Sequence, residues 1–518
     1  MADPDDELAP ESPLAGEPVG DTLATDDFVG VRSTDDDEWV EPKQKLGARG
    51  VVVLSARVLV GAIGTAAAAA AILGATFLPW PQHTVAVPSE RVTPVSTQQQ
   101  RVCAGPLLRL GDDTGAAATQ ASSFGRPTVR SAANRDSVRA AALPTTENST
   151  GVAPMVLSVP ASSKPVLFAG SQAQVAASGD IVGFAAAECS VGTADSWLVG
   201  GSTETGRTTL ITLSNPSEVS ATVSLTTYSA QGIVVGTGTD GIVVPAGSER
   251  VFSLAAFAPG VDAPVVHVES RGGPIVANLQ QTVVRTLEPG GVDIIGATTA
   301  PSTETTIPGI VIANSAATFA RQSEAGSGDL TSVIRLLVPG TTDAHAEIAI
   351  EPQNAPDSVV TTARLTLRAG MVTEVPLGSY PDGSYTVRVT TDEPVVAAAR
   401  TSTVGTGRSS DFAWFSAAAA QNGKSELAIA PGPAATLSLA SVATSAVTVT
   451  LTPTVGAPIV TTLGARGASA IPVTPGETYS LSATGRVAVS VSYLGDGQLA
   501  SFAASAPTPV STPIRVFG

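Results

Sequence analysis

"ITLSNPSEVSATVSLTTY", residues 211–228, reads as a strand-like run, a Pro-marked turn and then an alternation. Val219, Ala221, Val223 and Leu225 share one side of an extended chain, because side chains alternate with period two. The same order returns in "RLLVPGTTDAHAEIAIEP" (335–352) and "LSLASVATSAVTVTLTPT" (437–454). A second block follows each: "VVPAGSERVFSL" (243–254), "TLRAGMVTEVPL" (366–377) and "TLGARGASAIPV" (462–473). A third comes next: "VVHVESRGGPIVANLQQ" (265–281), "TVRVTTDEPVVAAARTS" (386–402) and "YSLSATGRVAVSVSYL" (479–494). Strand, hairpin, Gly turn, strand, hairpin is thus used three times. The spacing is roughly 100 to 120 residues, the size of one immunoglobulin-like sandwich. Propeller blades repeat at roughly 40 to 50 residues and a parallel β-helix at fewer, so neither fits. The expected fold is all-β, with tandem immunoglobulin-like β-sandwiches over 193–300, 301–408 and 409–518. Alternation gives each sheet one core face and one solvent face. The cores would be Val, Ile, Leu and Ala.

Composition agrees. The 518 residues include 50 Gly and 38 Pro, with 43% hydrophobic but only 4% aromatic residues. That mix is too apolar for a disordered chain and too rich in turn formers for a helical one. A formal net charge of -17 argues against a nucleic-acid partner, since phosphate binding needs clustered Lys and Arg.

Residues 1–49 read as a disordered acidic tail: charged, Pro-rich and without apolar periodicity. Its "DDDE" at 35–38 lacks the Gly turn of a calcium loop. Residues 50–80 contain "ARVLVGAIGTAAAAAAILGATFLPW" (56–80), free of charge from Val58 to Leu78. About 20 residues cross a hydrocarbon core of ~30 Å, so a transmembrane signal-anchor helix is expected. Lys43, Lys45, Arg49 and Arg57 precede it, and no Lys or Arg follows before Arg91. The positive-inside rule then places the N-terminus in the cytoplasm and the C-terminal part outside the cell membrane. A cleaved signal peptide is the rival, but the tail is long and no clear A-x-A site follows. Residues 81–100 read as a stalk.

Residues 101–192 read as an irregular β-rich domain, with "VRSAANRDSVRAAAL" (129–143) as a short helix or loop. Cys103 opens it and Cys189 closes it, and these are the only two cysteines. Neither sits in a zinc-ligand spacing. If the region is exported, one disulfide is the natural reading; two buried free thiols are the alternative. "DSWLVGG" (195–201) and "DFAWFS" (411–416) repeat an Asp, then a Trp, then small residues. Trp197 and Trp414 are therefore expected to be packing anchors at domain starts.

Catalytic signals are scarce. His83 lies in the stalk; His267 and His345 lie in strand-like runs. "GTGTDG" (236–241) fits a dinucleotide-loop pattern, but β runs flank it where a helix should follow, so it reads as a hairpin loop. "PDGS" (381–384) is a turn. Paired carboxylates for glycosidase chemistry converge in space, not in sequence. No catalytic residue, cofactor or metal ligand is expected.

The order Cys103-Ala-Gly-Pro106, Cys189, Asp195-Ser-Trp197-Leu-Val-Gly-Gly201, Asn215-Pro216 and Val244-Pro-Ala-Gly247 resembles an uncharacterised actinobacterial family of single-pass, surface-exposed β-repeat proteins. The resemblance covers most of the chain after the span. Genes of that family often lie beside large membrane glycosyltransferases. The resemblance implies envelope-glycan work without an established activity. The expectation is a non-catalytic, membrane-anchored scaffold or accessory partner in surface glycan assembly or export. Its partners would be the lipid bilayer, through one helix, and a membrane glycosyltransferase or envelope glycan. A cell-wall-binding or adhesive module is the alternative, and a carbohydrate-active enzyme comes third.

Overall fold

A computed structural model describes residues 48–77, 89–92, 98–110, 121–135, 137–145, 152–162, 166–354, 361–506 and 514–517. The acidic tail up to residue 47, much of the expected stalk and His83 lie outside the described residues.

The described residues divide into two units, one before Pro88 and one after Val87. In the first, a helix runs over Ala48–Phe77, 30 residues. At 1.5 Å per residue that is ~45 Å long. Thr65 turns its hydroxyl back to the Gly61 carbonyl at 2.7 Å, satisfying a polar group within an apolar helix. Side chains are described only for 58–71 and Leu73. Among the described residues, no helix is long and apolar enough to cross a membrane.

The second unit is mostly β and antiparallel. One strand order recurs three times. First, Asp195–Val199, Val265–Arg271 and Ala221–Ser229 lie side by side; Ser248–Ser253, Arg207–Asn215, Val276–Arg285 and Glu288–Ile295 form a second sheet. Next, Ser302–Ile312, Gly383–Val404, Ala344–Pro352 and Thr361–Leu367 repeat the first sheet. Val372–Pro376, Val333–Leu337, the same Gly383–Val404 and Ser410–Ser416 repeat the second. Finally, Thr478–Gly495 takes the double role, with Gln421–Ala428, Val447–Pro453 and Ile459–Leu463 on one side. Ala468–Val473, Ala434–Ser441 and Gln498–Ala503 lie on the other.

The differences between repeats are covalent in origin. Gly272-Gly273-Pro274 breaks the chain between Val265–Arg271 and Val276–Arg285, giving two separate sheets. Without such a break, Gly383–Val404 serves one sheet up to Val395 and the other from Val396 on. Each of the two later sets therefore curls around its core as a seven-stranded sheet.

The alternation in the opening stretch holds from Ala221, Val223 and Leu225, all buried. Val219 departs from it: it sits in the turn and is 53% exposed, because the strand starts only at Ala221. Among the described residues of 129–143 there is no helix. Thr128–Ala133 and Arg139–Ala142 are strands, each recruited by a neighbouring sheet edge. Nor is "GTGTDG" a hairpin loop. Gly232–Val234 and Ile242–Val244 lie end to end along Ala221–Ser229 and do not pair with each other. The sequence boundary at 408/409 cuts through a sheet, since Ser410–Ser416 pairs with Gly383–Val404 and closes the second repeat.

The cores are shared. Phe412 and Trp414 of the second repeat join the core of the first. Phe184 and Ala186, from the region before the repeats, join that of the third. Leu499 of the third joins the second.

Candidate functional site

Asp411 stands where these cores meet. Its Oδ2 accepts from the Phe184 N–H at 2.8 Å and the Leu499 N–H at 3.1 Å. Its Oδ1 accepts from the Val292 N–H at 3.1 Å. One fully buried carboxyl thus binds the amides of three other segments. The approach demands glycine on two sides: a Cβ at Gly183 (φ +144°) or Gly291 (φ +122°) would lie 2.6 Å from Asp411 Oδ1. Nearby, Asp293 Oδ2 accepts from the Trp414 N–H at 2.7 Å. Burial pushes both carboxyls well above the usual carboxylate range; in Asp293 the charge of Asp411 adds to it.

A polar cleft of about 360 Å³ opens between the first and second repeats. Arg207, Glu204 and Asp262 line it from the first; Asp329, Glu374 and Arg400 from the second. Asp329 sits in the short helical turn Gly328–Leu330. It receives Arg285 Nε and Nη2 at 2.9 and 2.7 Å and Arg207 Nη2 at 2.9 Å. Burial works against its charge, yet the hydrogen bonds and charge of Arg285, with Arg207 beyond, hold its carboxyl below the ordinary value. Behind the cleft, fully buried Arg335 bonds Glu374 Oε1 at 2.8 Å and the carbonyls of Gly201 and Pro264 at 3.0 and 2.8 Å. Its guanidinium lies 4.5 Å from the centre of the Trp414 ring, and that of Arg400 lies 5.6 Å away.

Cys103 and Cys189 form a disulfide, both fully buried, across a sequence separation of 86. Trp197 and Trp414 are 5% and 2% exposed but are not equivalent. Trp197 lies on the first strand of its repeat and Trp414 on the last strand of the next, so the shared Asp–Trp spelling marks different places. Trp414 Nε1 donates to Gln281 Oε1 at 2.8 Å, and its ring joins two repeats. Trp197 stacks on His267 with ring centres 3.9 Å apart. His345 pairs with Asp392 at the surface.

Sequence reading missed Asp411, Asp293 and the cleft arginines. The partners named here lie from 39 residues away, for Arg335 and Glu374, to 227, for Asp411 and Phe184, and a lone Asp or Arg in a strand carries no local mark.

A family model matches residues 144–495, about two thirds of the chain, from before the first repeat to the long strand of the third. The chain belongs to a family of unknown function, DUF5719. The DUF5719 region takes in Cys189, both buried tryptophans, Asp411 with two of its three amide partners and the polar cleft, but neither Cys103 nor Leu499. No curated protein and no solved structure matches the chain.

Proposed function

We propose that this chain is a single-pass membrane protein, N-terminus in the cytoplasm, whose outer body is three tandem immunoglobulin-like sandwiches acting without catalysis. In this reading it is a scaffold or accessory partner in surface glycan assembly or export. The supporting observation is the Asp411 junction. Acidic side chains that could serve chemistry are spent on joining segments: Asp411 on three backbone amides, Asp329 on two arginines. A carboxyl held ionised by Arg285 and Arg207 is poorly suited to act as a general acid. A body joined in this way transmits position, which a scaffold requires. In this reading the anchor is the charge-free run from Val58 to Leu78 in the sequence, in keeping with the charge bias around it.

The test separates tethering from mere presence. The anchored chain should rescue a deletion strain and co-purify with a membrane glycosyltransferase. The outer part released from its anchor should not rescue. Full rescue by the untethered part, with no partner recovered, refutes scaffolding.

The polar cleft favours a second reading, direct binding of a wall or envelope glycan. Planar guanidinium and carboxylate groups at a junction between repeats suit a ligand rich in hydroxyls. In that case Arg207→Ala should weaken retention on purified envelope polysaccharide while the fold persists.

A further inference from the structure

Asp195–Val199 and Val265–Arg271 pair antiparallel, with Asp195 opposite Glu269 and Trp197 opposite His267. Period two puts all four side chains on one face, opposite to that of Leu198, Val266 and Val268. Two carboxylates directly opposite one another repel, which weakens a cross-strand pair. The other neighbouring strand offers no cation in relief, for Ser224 stands opposite Glu269 and Thr226 opposite His267. Arg271, two residues further along, faces Thr222. Period two puts Arg271 on the same face, so this stretch of sheet sets two carboxylates against one cation beside an imidazole.

That imidazole is held in place. Its plane lies 9° from that of the Trp197 indole at 3.9 Å, and Nε2 is 2.8 Å from Asp195 Oδ2. The His267 side chain is 15% exposed and that of Asp195 57%, so the group opens to solvent on its carboxylate side. One donor atom from each of Asp195, His267 and Glu269 lies within 4.8 Å of the others.

We propose that Asp195, His267 and Glu269 form a zinc site. Neutral imidazole nitrogen with two carboxylate oxygens is a zinc donor set, and three protein ligands leave a fourth position for water. Calcium wants six to eight oxygens and magnesium a near-octahedral oxygen shell, and neither prefers an imidazole. Tetrahedral zinc with bonds of about 2.0 to 2.2 Å needs donors about 3.4 Å apart. The observed span, from the 2.8 Å pair up to 4.8 Å, brackets that value, and the exposed carboxylates can make the adjustment. A cation between the strands also neutralises the Asp195–Glu269 repulsion. His345 and Asp392 supply an internal control: they too are 2.8 Å apart, yet no third ligand gathers there among the described residues.

The full chain, stripped with a chelator, is titrated with zinc by calorimetry and with nickel while tryptophan fluorescence is followed. One zinc per chain should bind. Nickel should quench a component that disappears in Trp197→Phe, because the metal would sit against the ring stacked on that indole. His267→Ala and Glu269→Gln should each weaken zinc binding about tenfold or more, whereas His345→Ala and His83→Ala leave it unchanged. Glu269 is exposed, so Glu269→Gln tests the site with the fold intact, checked by circular dichroism. Absence of stoichiometric binding, zinc binding unchanged in Glu269→Gln, or an equal loss in His345→Ala overturns the proposal.

Discussion

The Phe184 N–H and Asp411 Oδ2 meet at 2.8 Å across 227 residues of chain. The same oxygen takes the amide of Leu499, and its partner oxygen that of Val292. Removing the carboxyl strands three buried donors at once. Each buried donor left without a partner costs about 1 to 3 kcal/mol. Asp411→Ala should therefore destabilise the outer body by about 3 kcal/mol or more. Asp411→Asn, which keeps one acceptor oxygen, should cost less. Denaturant unfolding of the full chain followed by Trp414 emission checks the order. Equal stability of wild type and Asp411→Ala would show that the junction contributes nothing.

Asp293 sets a pH dependence. Its folded carboxyl is held well above the ordinary 3.8, by burial first and by Asp411 second. The folded state therefore binds that proton more tightly than the unfolded chain does. Its stabilising contribution is full below about pH 4 and is lost as pH rises through the raised folded value. Within that window the loss approaches about 1.4 kcal/mol per pH unit for one such group. Asn at this position is neutral at every pH. Asp293→Asn should thus gain on the wild type as pH rises from about 4, with a flatter profile of unfolding free energy. Parallel profiles would show that the carboxyl does not titrate differently in the folded state.

Arg335 and Trp414 give a third test. Arg335 is 1% exposed at its side chain, with Glu374 as counter-ion and Trp414 as platform. Losing one partner of a buried ion pair costs about 3 to 5 kcal/mol, because the other charge stays behind. Glu374→Ala, which leaves the buried Arg335 guanidinium alone, should fall in that range. Adding Arg335→Ala should cost less than the sum of the two single changes, since no buried charge is then left alone. Additive losses in a double-mutant cycle would count against a coupled pair.

The legible parts of this chain were those with local periodicity. The alternation at 221–225 and its two echoes mark strands that recur in one order, and Cys103 and Cys189 have only each other. The 408/409 boundary was misplaced because "DFAWFS" resembles "DSWLVGG" in spelling, while pairing with the distant Gly383–Val404 decides where it belongs. Asp382 shows the same limit. It lies in the "PDGS" turn, yet its carboxylate accepts from the Asn314 and Ser315 N–H groups at 3.0 and 2.9 Å, capping the helix Ser315–Gln322 from 67 residues away. Long-range hydrogen bonds and charge pairs leave no periodic trace, so the cleft and the junction were invisible.

The disulfide should act beyond its own loop. In a row of separate domains, losing a bridge loosens only the domain that holds it. Here Phe184 lies five residues before Cys189 and packs its ring 5.2 Å from that of Tyr493, in the core of the third repeat. Ser171, in the same sheet, donates to the Ala428 carbonyl at 2.7 Å. The chain-entropy estimate for a loop this long is about 4 kcal/mol. Cys103→Ser should lower the stability of residues 98–190 by up to that amount and pass part of the loss to the strands around Tyr493. Amide hydrogen exchange on the full chain reads both regions. Faster exchange at 168–188 together with 487–494, and little change at the far edge of the third repeat around 459–463, is the expected pattern. Exchange that quickens only within 98–190 would mean that the shared core transmits nothing.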